Sequence, residues 1–160
     1  RRMTGDQYDM FSIDFEMENG VHLHSMCRQI DGCSRAVGEI IYGTKGSWNS
    51  FDHEIKDLAG NVIWKYDKQA REAQFQQHNP YVLEHVDWVN HIRKGTAHDE
   101  ATDCAISCLA GVMGREAAYS GGTVTWDEIS ASNLDYMPEK LELGKMPMED
   151  YVVMVTGKAK

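Results

Sequence analysis

The sequence predicts an α+β fold: an open-faced, mostly antiparallel β-sheet with helices packed on one face and an extended C-terminal tail. Three observations carry this expectation. From Tyr8 to Tyr66 apolar and polar residues alternate with the period of a strand; after Asn79-Pro80 the period lengthens to that of a helix; and beyond Leu134 the chain is punctuated by Pro138 and Pro147.

The first strand is the clearest. In Tyr8 to Glu18, Phe11, Ile13, Phe15 and Met17 alternate with Ser12, Asp14, Glu16 and Glu18, so each set lines its own face. Asn19-Gly20 signals a hairpin, and loop length fixes its register. A two-residue loop would oppose Phe15 to His24 and Met17 to His22. A three-residue loop with Gly20 left-handed opposes Phe15 to Leu23, Met17 to Val21, Glu16 to His22 and Asp14 to His24. The second register matches apolar with apolar and carboxylate with imidazole, and is the one expected. Val37 to Gly43, a turn at Thr44-Lys45-Gly46, a return through Ser47 to Phe51, and a turn at Asp57 to Asn61 leading into Val62 to Tyr66 continue an antiparallel meander. Asp67 to His78 is polar and connecting, with a helical turn around Ala70 to Phe75.

Asn79 then supplies an N-cap with Pro80 in the first helical position, and Arg93-Lys94-Gly95 supplies a cationic last turn and a glycine stop. Val82, Val86, Val89, Ile92 and Arg93 form its stripe, with His85 beside Val82 and Val89. A second helix, from about Asp99 to Ser120, carries Ile106, Leu109, Met113 and Ala117 and stops at Gly121-Gly122. Thr125-Trp126-Asp127-Glu128 is a capping box opening a short third helix through Ile129. The tail ends in a strand-like Tyr151 to Val155.

Composition narrows the class of function. The 160 residues suit one domain, with 42% hydrophobic and 26% charged residues, the balance of a globular protein. Lys and Arg number 16 against 25 Asp and Glu, a net charge of −9. No basic cluster offers itself to phosphate backbones, so nucleic acid is not an expected partner. No apolar run approaches the roughly 20 residues of a membrane-spanning helix, and no membrane partner is expected. Asp6, Asp9 and Asp14 interrupt what would be a signal region after Arg1-Arg2, and the N-terminus reads as a chain entered midway.

Cys27, Cys33, Cys104 and Cys108 lack the short paired spacings of structural zinc, and packing as compact apolar side chains is expected over metal or disulfide. His22 and His24 share a strand face with Asp14 and Glu16; cross-strand pairing is expected there over metal binding. Asp87 and His91, four apart on one helix, read as a surface pair rather than a catalytic one. His85 reads as a satisfied core or rim histidine. Arg28 and Gln29, ending the second strand, could hold hydroxyls or a carboxylate, and an ion-pair role for Arg28 is equally compatible. Gly43-Thr44-Lys45-Gly46 is too short for a dinucleotide loop and runs into a strand rather than a helix. No Gly-x-Ser-x-Gly or His-Glu-x-x-His occurs.

Several segments, in order, resemble the C-terminal domain of the glucose–fructose oxidoreductase / inositol dehydrogenase / MocA family. They are Phe15-Glu16 through Asn19-Gly20-Val21, Cys27-Arg28-Gln29-Ile30, Gly43-Thr44-Lys45-Gly46-Ser47, Asn79-Pro80-Tyr81-Val82-Leu83-Glu84-His85, Ile92-Arg93-Lys94-Gly95, Met113-Gly114-Arg115, Tyr119-Ser120-Gly121 and Val124-Thr125-Trp126-Asp127. Together they run in order from Phe15 to Asp127. The resemblance implies a larger NAD(P)-dependent oxidoreductase in which an N-terminal Rossmann domain, absent here, binds NAD or NADP. This chain would then supply the substrate side and the oligomer contacts.

The implied substrates are small sugar-like or polyol molecules oxidised at a CH–OH carbon. Self-association is expected through the open sheet face. The expected ligand-facing residues are Arg28, Gln29, Tyr81 and His85. The family's catalytic Glu-Lys-Pro lysine has no counterpart in this chain. Its Asp-x-x-x-His pair precedes the sheet, so its role is not transferred to Asp87 and His91. No catalytic, cofactor-binding or metal residue is assigned, and the chain alone is expected to be inactive. The alternatives are a non-enzymatic carbohydrate-binding or interaction module, or an NAD-assisted glycosidase on the same scaffold. Free cysteines favour a reducing, cytoplasmic setting, and an export signal to the periplasm would lie upstream.

Overall fold

The structure, a computed structural model, describes residues 7–75, 79–137, 140–144 and 155–157. Its elements are β1 (Met10–Glu16), β2 (His22–Arg28), β3 (Ile40–Gly43), β4 (Gly46–Asn49), β5 (Glu54–Asp57), β6 (Val62–Lys65), α1 (Lys68–Phe75), α2 (Pro80–Lys94), α3 (Ala101–Ser120) and α4 (Trp126–Ser130). Among the described residues all strand pairing is antiparallel and no barrel closes, so the class is α+β as the periodicity implies. The strands form a two-stranded sheet, β1-β2, and a four-stranded sheet, β3-β4-β5-β6, where the pattern reads as one meander. Alternation marks which residues are extended; it does not say which strands pair across the irregular stretch from Gln29 to Glu39. The chain divides into two compact units, Arg1–Gly32 with Glu100–Lys160, and Cys33–Asp99.

In the first unit the hairpin adopts the expected register: Glu16 faces His22, Phe15 faces Leu23 and Asp14 faces His24. Gly20, at φ 75°, takes the left-handed position that closes the loop, and its N–H reaches the Met17 carbonyl at 2.8 Å. Phe11, Ile13 and Phe15 are therefore on one face, half-buried, with α3 packed on β1. Gly114 permits the approach, because a Cβ there would lie 2.9 Å from Phe15 Cζ and 3.5 Å from Ile13. Tyr119 is 7% exposed and meets Tyr8 edge-on with ring centroids 4.8 Å apart.

Gly121 ends α3 in the left-handed conformation. Thr125 and Glu128 then complete the capping box: the Glu128 N–H donates to Thr125 Oγ1 at 3.2 Å and the Thr125 N–H to Glu128 Oε2 at 2.7 Å. The Thr125 N–H, and then its hydroxyl, hold the Glu128 carboxyl below the usual carboxylate range. The box aims Ile129, 4% exposed, into the contact between α4 and α3. Tail residue Thr156 donates to the Ala118 carbonyl at 3.3 Å. The strand expected over Tyr151 to Val155 falls mainly on 151–154, and the two tail prolines at 138 and 147, all outside the described residues.

The second unit is held differently. Ile41, Trp48, Ile55 and Trp64 pair in turn across all four strands and form one apolar row. Its middle is half-buried, while Ile41 is 60% and Trp64 48% exposed. On the neighbouring row Glu54 lies 2.8 Å from Lys65 Nζ and 3.2 Å from Lys56 Nζ, hydrogen bonds that hold its carboxyl below the usual range. Gly46 is required by crowding: a Cβ would collide with the Lys56 backbone carbonyl. Its place in the Gly43 to Gly46 turn is thus set by strand packing.

Helix α2 starts and stops where the caps predict. Asn79 accepts from the Tyr81 N–H at 3.0 Å, and Gly95, at φ 65°, donates to the His91 and Ile92 carbonyls. The expected stripe on α2 is not buried; no residue of this helix is. The expected helical turn around Ala70 to Phe75 is a full helix, α1.

Candidate functional site

Five places carry chemistry, three in the first unit and two in the second. On the first unit, the hairpin face away from α3 presents Ser12, Asp14, Glu16, His22 and His24 to solvent. His22 Nδ1 lies 2.8 Å from Asp14 Oδ2, and that hydrogen bond, with the carboxylate's charge, raises the His22 pKa. His24 Nε2 pairs with Ser12 Oγ at 2.9 Å. Both bonds run diagonally across the expected register, a reach that these side chains allow. The cross-strand reading of the His22 and His24 face therefore describes the observed contacts.

The opposite face of the same hairpin borders a cleft of about 330 Å³. Phe11, Ile13, Phe15 and Tyr119 give it apolar walls, and Cys27 and Arg115 bring a thiol and a guanidinium. Arg115 is anchored by Glu116 at 3.0 Å and lies 4.4 Å over the Tyr136 ring. The Tyr136 hydroxyl donates to Glu116 Oε1 at 2.6 Å, and burial, reinforced by that carboxylate, raises its pKa. Sequence reasoning did not find this cleft, because it needs Gly114 to bring helix and hairpin together.

The four expected ligand-facing residues fall into two pairs. Arg28 ends β2 opposite Met10, and the Gln29 N–H donates to the Asp9 carbonyl at 2.7 Å, so the two sit together at the hairpin's end. Neither lines the cleft. Tyr81 and His85 are one turn apart at the start of α2; Tyr81 is 74% exposed and His85 Nδ1 donates to the Tyr81 carbonyl at 2.7 Å. His85 is not the core or rim histidine expected. Its side chain is 68% exposed, on a stripe where Val82 and Val89 are themselves 40% and 37% exposed. Cys27, Cys104 and Cys108 are likewise exposed rather than packed, Cys33 is half-buried, and all four cysteines are free thiols.

No family model, curated protein or solved structure matches the chain. The family resemblance therefore rests on the ordered segments quoted above.

A dinucleotide's pyrophosphate commonly sits at a helix N-terminus with open backbone donors, and among the described residues three of the four helices cap theirs and the fourth, α3, starts behind acidic residues. The Asp67 carboxylate caps the start of α1, Asn79 caps α2, Thr125 and Glu128 close α4, and α3 begins behind Asp99 and Glu100, whose charge repels phosphate. No step through a nicotinamide is assigned to these residues.

The fifth place is the C-terminal half of α2. Gly95 turns the chain back over the helix, and the Thr96 N–H donates to the His91 carbonyl at 3.1 Å. This return carries His98 to Asp87 and His91. His98 Nε2 lies 3.8 Å from Asp87 Oδ2, His91 Nε2 lies 4.0 Å from Asp87 Oδ1, and the two imidazole rings stack with centroids 4.5 Å apart. Among the described residues this is the group of three whose ligand atoms all lie within 4.8 Å of one another. The sequence pointed to Asp87 and His91 by their spacing but missed His98. The available signal was the glycine stop at Gly95, which reverses the chain three residues before a histidine.

Proposed function

We propose that this chain is the substrate-side and oligomerisation half of an NAD(P)-dependent oxidoreductase acting on a CH–OH group of a sugar or polyol, with NAD or NADP held by an N-terminal Rossmann domain. The observation that carries the reading is the apolar row Ile41–Trp48–Ile55–Trp64 on an open antiparallel sheet. Such a face gains free energy when a neighbouring domain or second subunit covers it. The ordered family-like segments give the class of enzyme, and Arg28, Gln29, Tyr81 and His85 supply exposed donors and acceptors suited to hydroxyls.

Two measurements test this. Calorimetry with NAD(H) and NADP(H) should show no binding to this chain alone, and micromolar affinity would sink the division of labour. The protein extended upstream through its Rossmann domain should reduce NAD(P) with a member of a sugar and polyol panel. In that protein Arg28→Ala should raise KM roughly tenfold or more, the loss of a charge-assisted hydrogen bond. A full-length protein inert across the panel would overturn the oxidoreductase reading.

A further inference from the structure

We propose that Asp87, His91 and His98 form a site for a divalent transition metal, with Zn²⁺ the best match to the donor set. This stands independently of the oxidoreductase reading, since it uses none of the residues assigned there. Two imidazole nitrogens and one carboxylate oxygen are the ligands of open zinc sites, in which three protein groups leave a fourth position for water or a substrate oxygen. The donors are also too nitrogen-rich for Ca²⁺ or Mg²⁺, which take oxygen ligands.

The hydrogen bonding around His91 prepares it for this role. Its Nδ1 lies 2.8 Å from Thr96 Oγ1, and the Thr96 hydroxyl in turn donates to the His91 carbonyl at 3.5 Å. In the tautomer with the proton on Nδ1, the hydroxyl accepts from Nδ1–H. The Nε2 lone pair is then left facing Asp87, the outer-shell arrangement that fixes a metal-binding tautomer. Asp87 is bracketed, with one carboxylate oxygen towards each imidazole.

Distances set how far the site must close. Zinc bonds of about 2.0–2.1 Å in tetrahedral geometry put ligand atoms about 3.3 Å apart, whereas His98 and His91 lie 3.8 and 4.0 Å from different oxygens of Asp87, and the set with one atom from each residue spans up to 4.8 Å. The contraction is about 0.5–1.5 Å, shared between the exposed Asp87 side chain and the loop that carries His98. The stacked rings must also part, because parallel imidazoles cannot aim both lone pairs at one point. His98, on the loop beyond Gly95, is the ligand placed to turn. Metal binding would thereby clamp that loop to the last turns of α2.

The test is titration of the untagged chain with Zn²⁺ by calorimetry, with Co²⁺ as a spectroscopic replacement whose visible bands report imidazole coordination. The expected result is one ion per chain. Asp87→Asn, His91→Ala and His98→Ala should each weaken binding by about 100-fold or more, and Thr96→Val, which removes only the orienting hydroxyl, by about 10- to 100-fold. Far-UV circular dichroism of each variant separates loss of a ligand from loss of the fold. Zn²⁺ binding that is absent below millimolar concentration, or indifferent to these substitutions in folded variants, overturns the site. So does binding abolished by His22→Ala, which would put the ion on the hairpin instead.

Discussion

The two units reach order by different routes. In the first, the hairpin's apolar face is covered: Phe11, Ile13 and Phe15 lie under α3, and Tyr119 and Ile129 are nearly withdrawn from water. In the second, the apolar row of the four-stranded sheet keeps its ends in solvent, and cross-strand hydrogen bonds with the Glu54, Lys56 and Lys65 pairing hold the strands. With Lys56 and Lys65 keeping 37% and 64% of their side-chain exposure, these ion pairs contribute little each. The first unit's stability should therefore depend on a few buried side chains, and the second's on backbone geometry and on whatever covers its open face.

The largest effect expected from this contrast is at Tyr119. Tyr119→Ala should destabilise the first unit by about 3–5 kcal/mol, the usual cost of deleting a buried aromatic ring. Hydrogen exchange should show lost protection in α3 and the hairpin with little change in β3 to β6; equal loss in both would break the contrast. Gly114→Leu comes next, at about 1–3 kcal/mol in urea unfolding, because the added side chain meets Phe15 and Ile13. A neutral result would mean that α3 and β1 are less closely packed than described.

On the other unit Trp64→Ser should cost less than about 1 kcal/mol in folding, being half-exposed. It should nonetheless shift any oligomer towards monomer in light scattering at matched concentration. A monomeric parent would count against the covered-face reading. The smallest effect lies at His22, where Asp14 raises the pKa. The raised value means that protonation favours the hairpin below about pH 6.5, the ordinary imidazole value, and that this contribution is lost as pH rises through the folded-state value. Proton NMR should find His22 titrating above an unperturbed histidine, with Asp14→Asn returning it.

Much of this was legible in the sequence, and the particular residues say why. The hairpin register followed from matching Phe15 with Leu23 and Asp14 with His24 around Asn19-Gly20, because one slip would have reversed both faces. The bounds of α2 and the start of α4 followed from Asn79, Gly95 and the Thr125–Glu128 box, which act within a few residues of themselves. What failed to show was long-range. The period of α2 placed His85 beside Val82 and Val89 but could not say whether anything covers that stripe. Nor could spacing alone bring His98 to Asp87, since that proximity depends on the turn at Gly95.

One irregularity in the second sheet has a bearing on how copies of this chain could meet. Ile55 pairs with Trp64 but Lys56 pairs with Val62, leaving Ile63 as an extra residue where β5 meets the edge strand β6. That kink, with a charged Lys65 ending a four-residue strand, makes β6 a poor template for ladder growth. The other border, β3, is equally short and closes on Gly43. Fibril-like addition of strands is thus discouraged at both margins of the sheet. If copies of this chain associate as proposed, the route these margins leave open is contact between sheet faces.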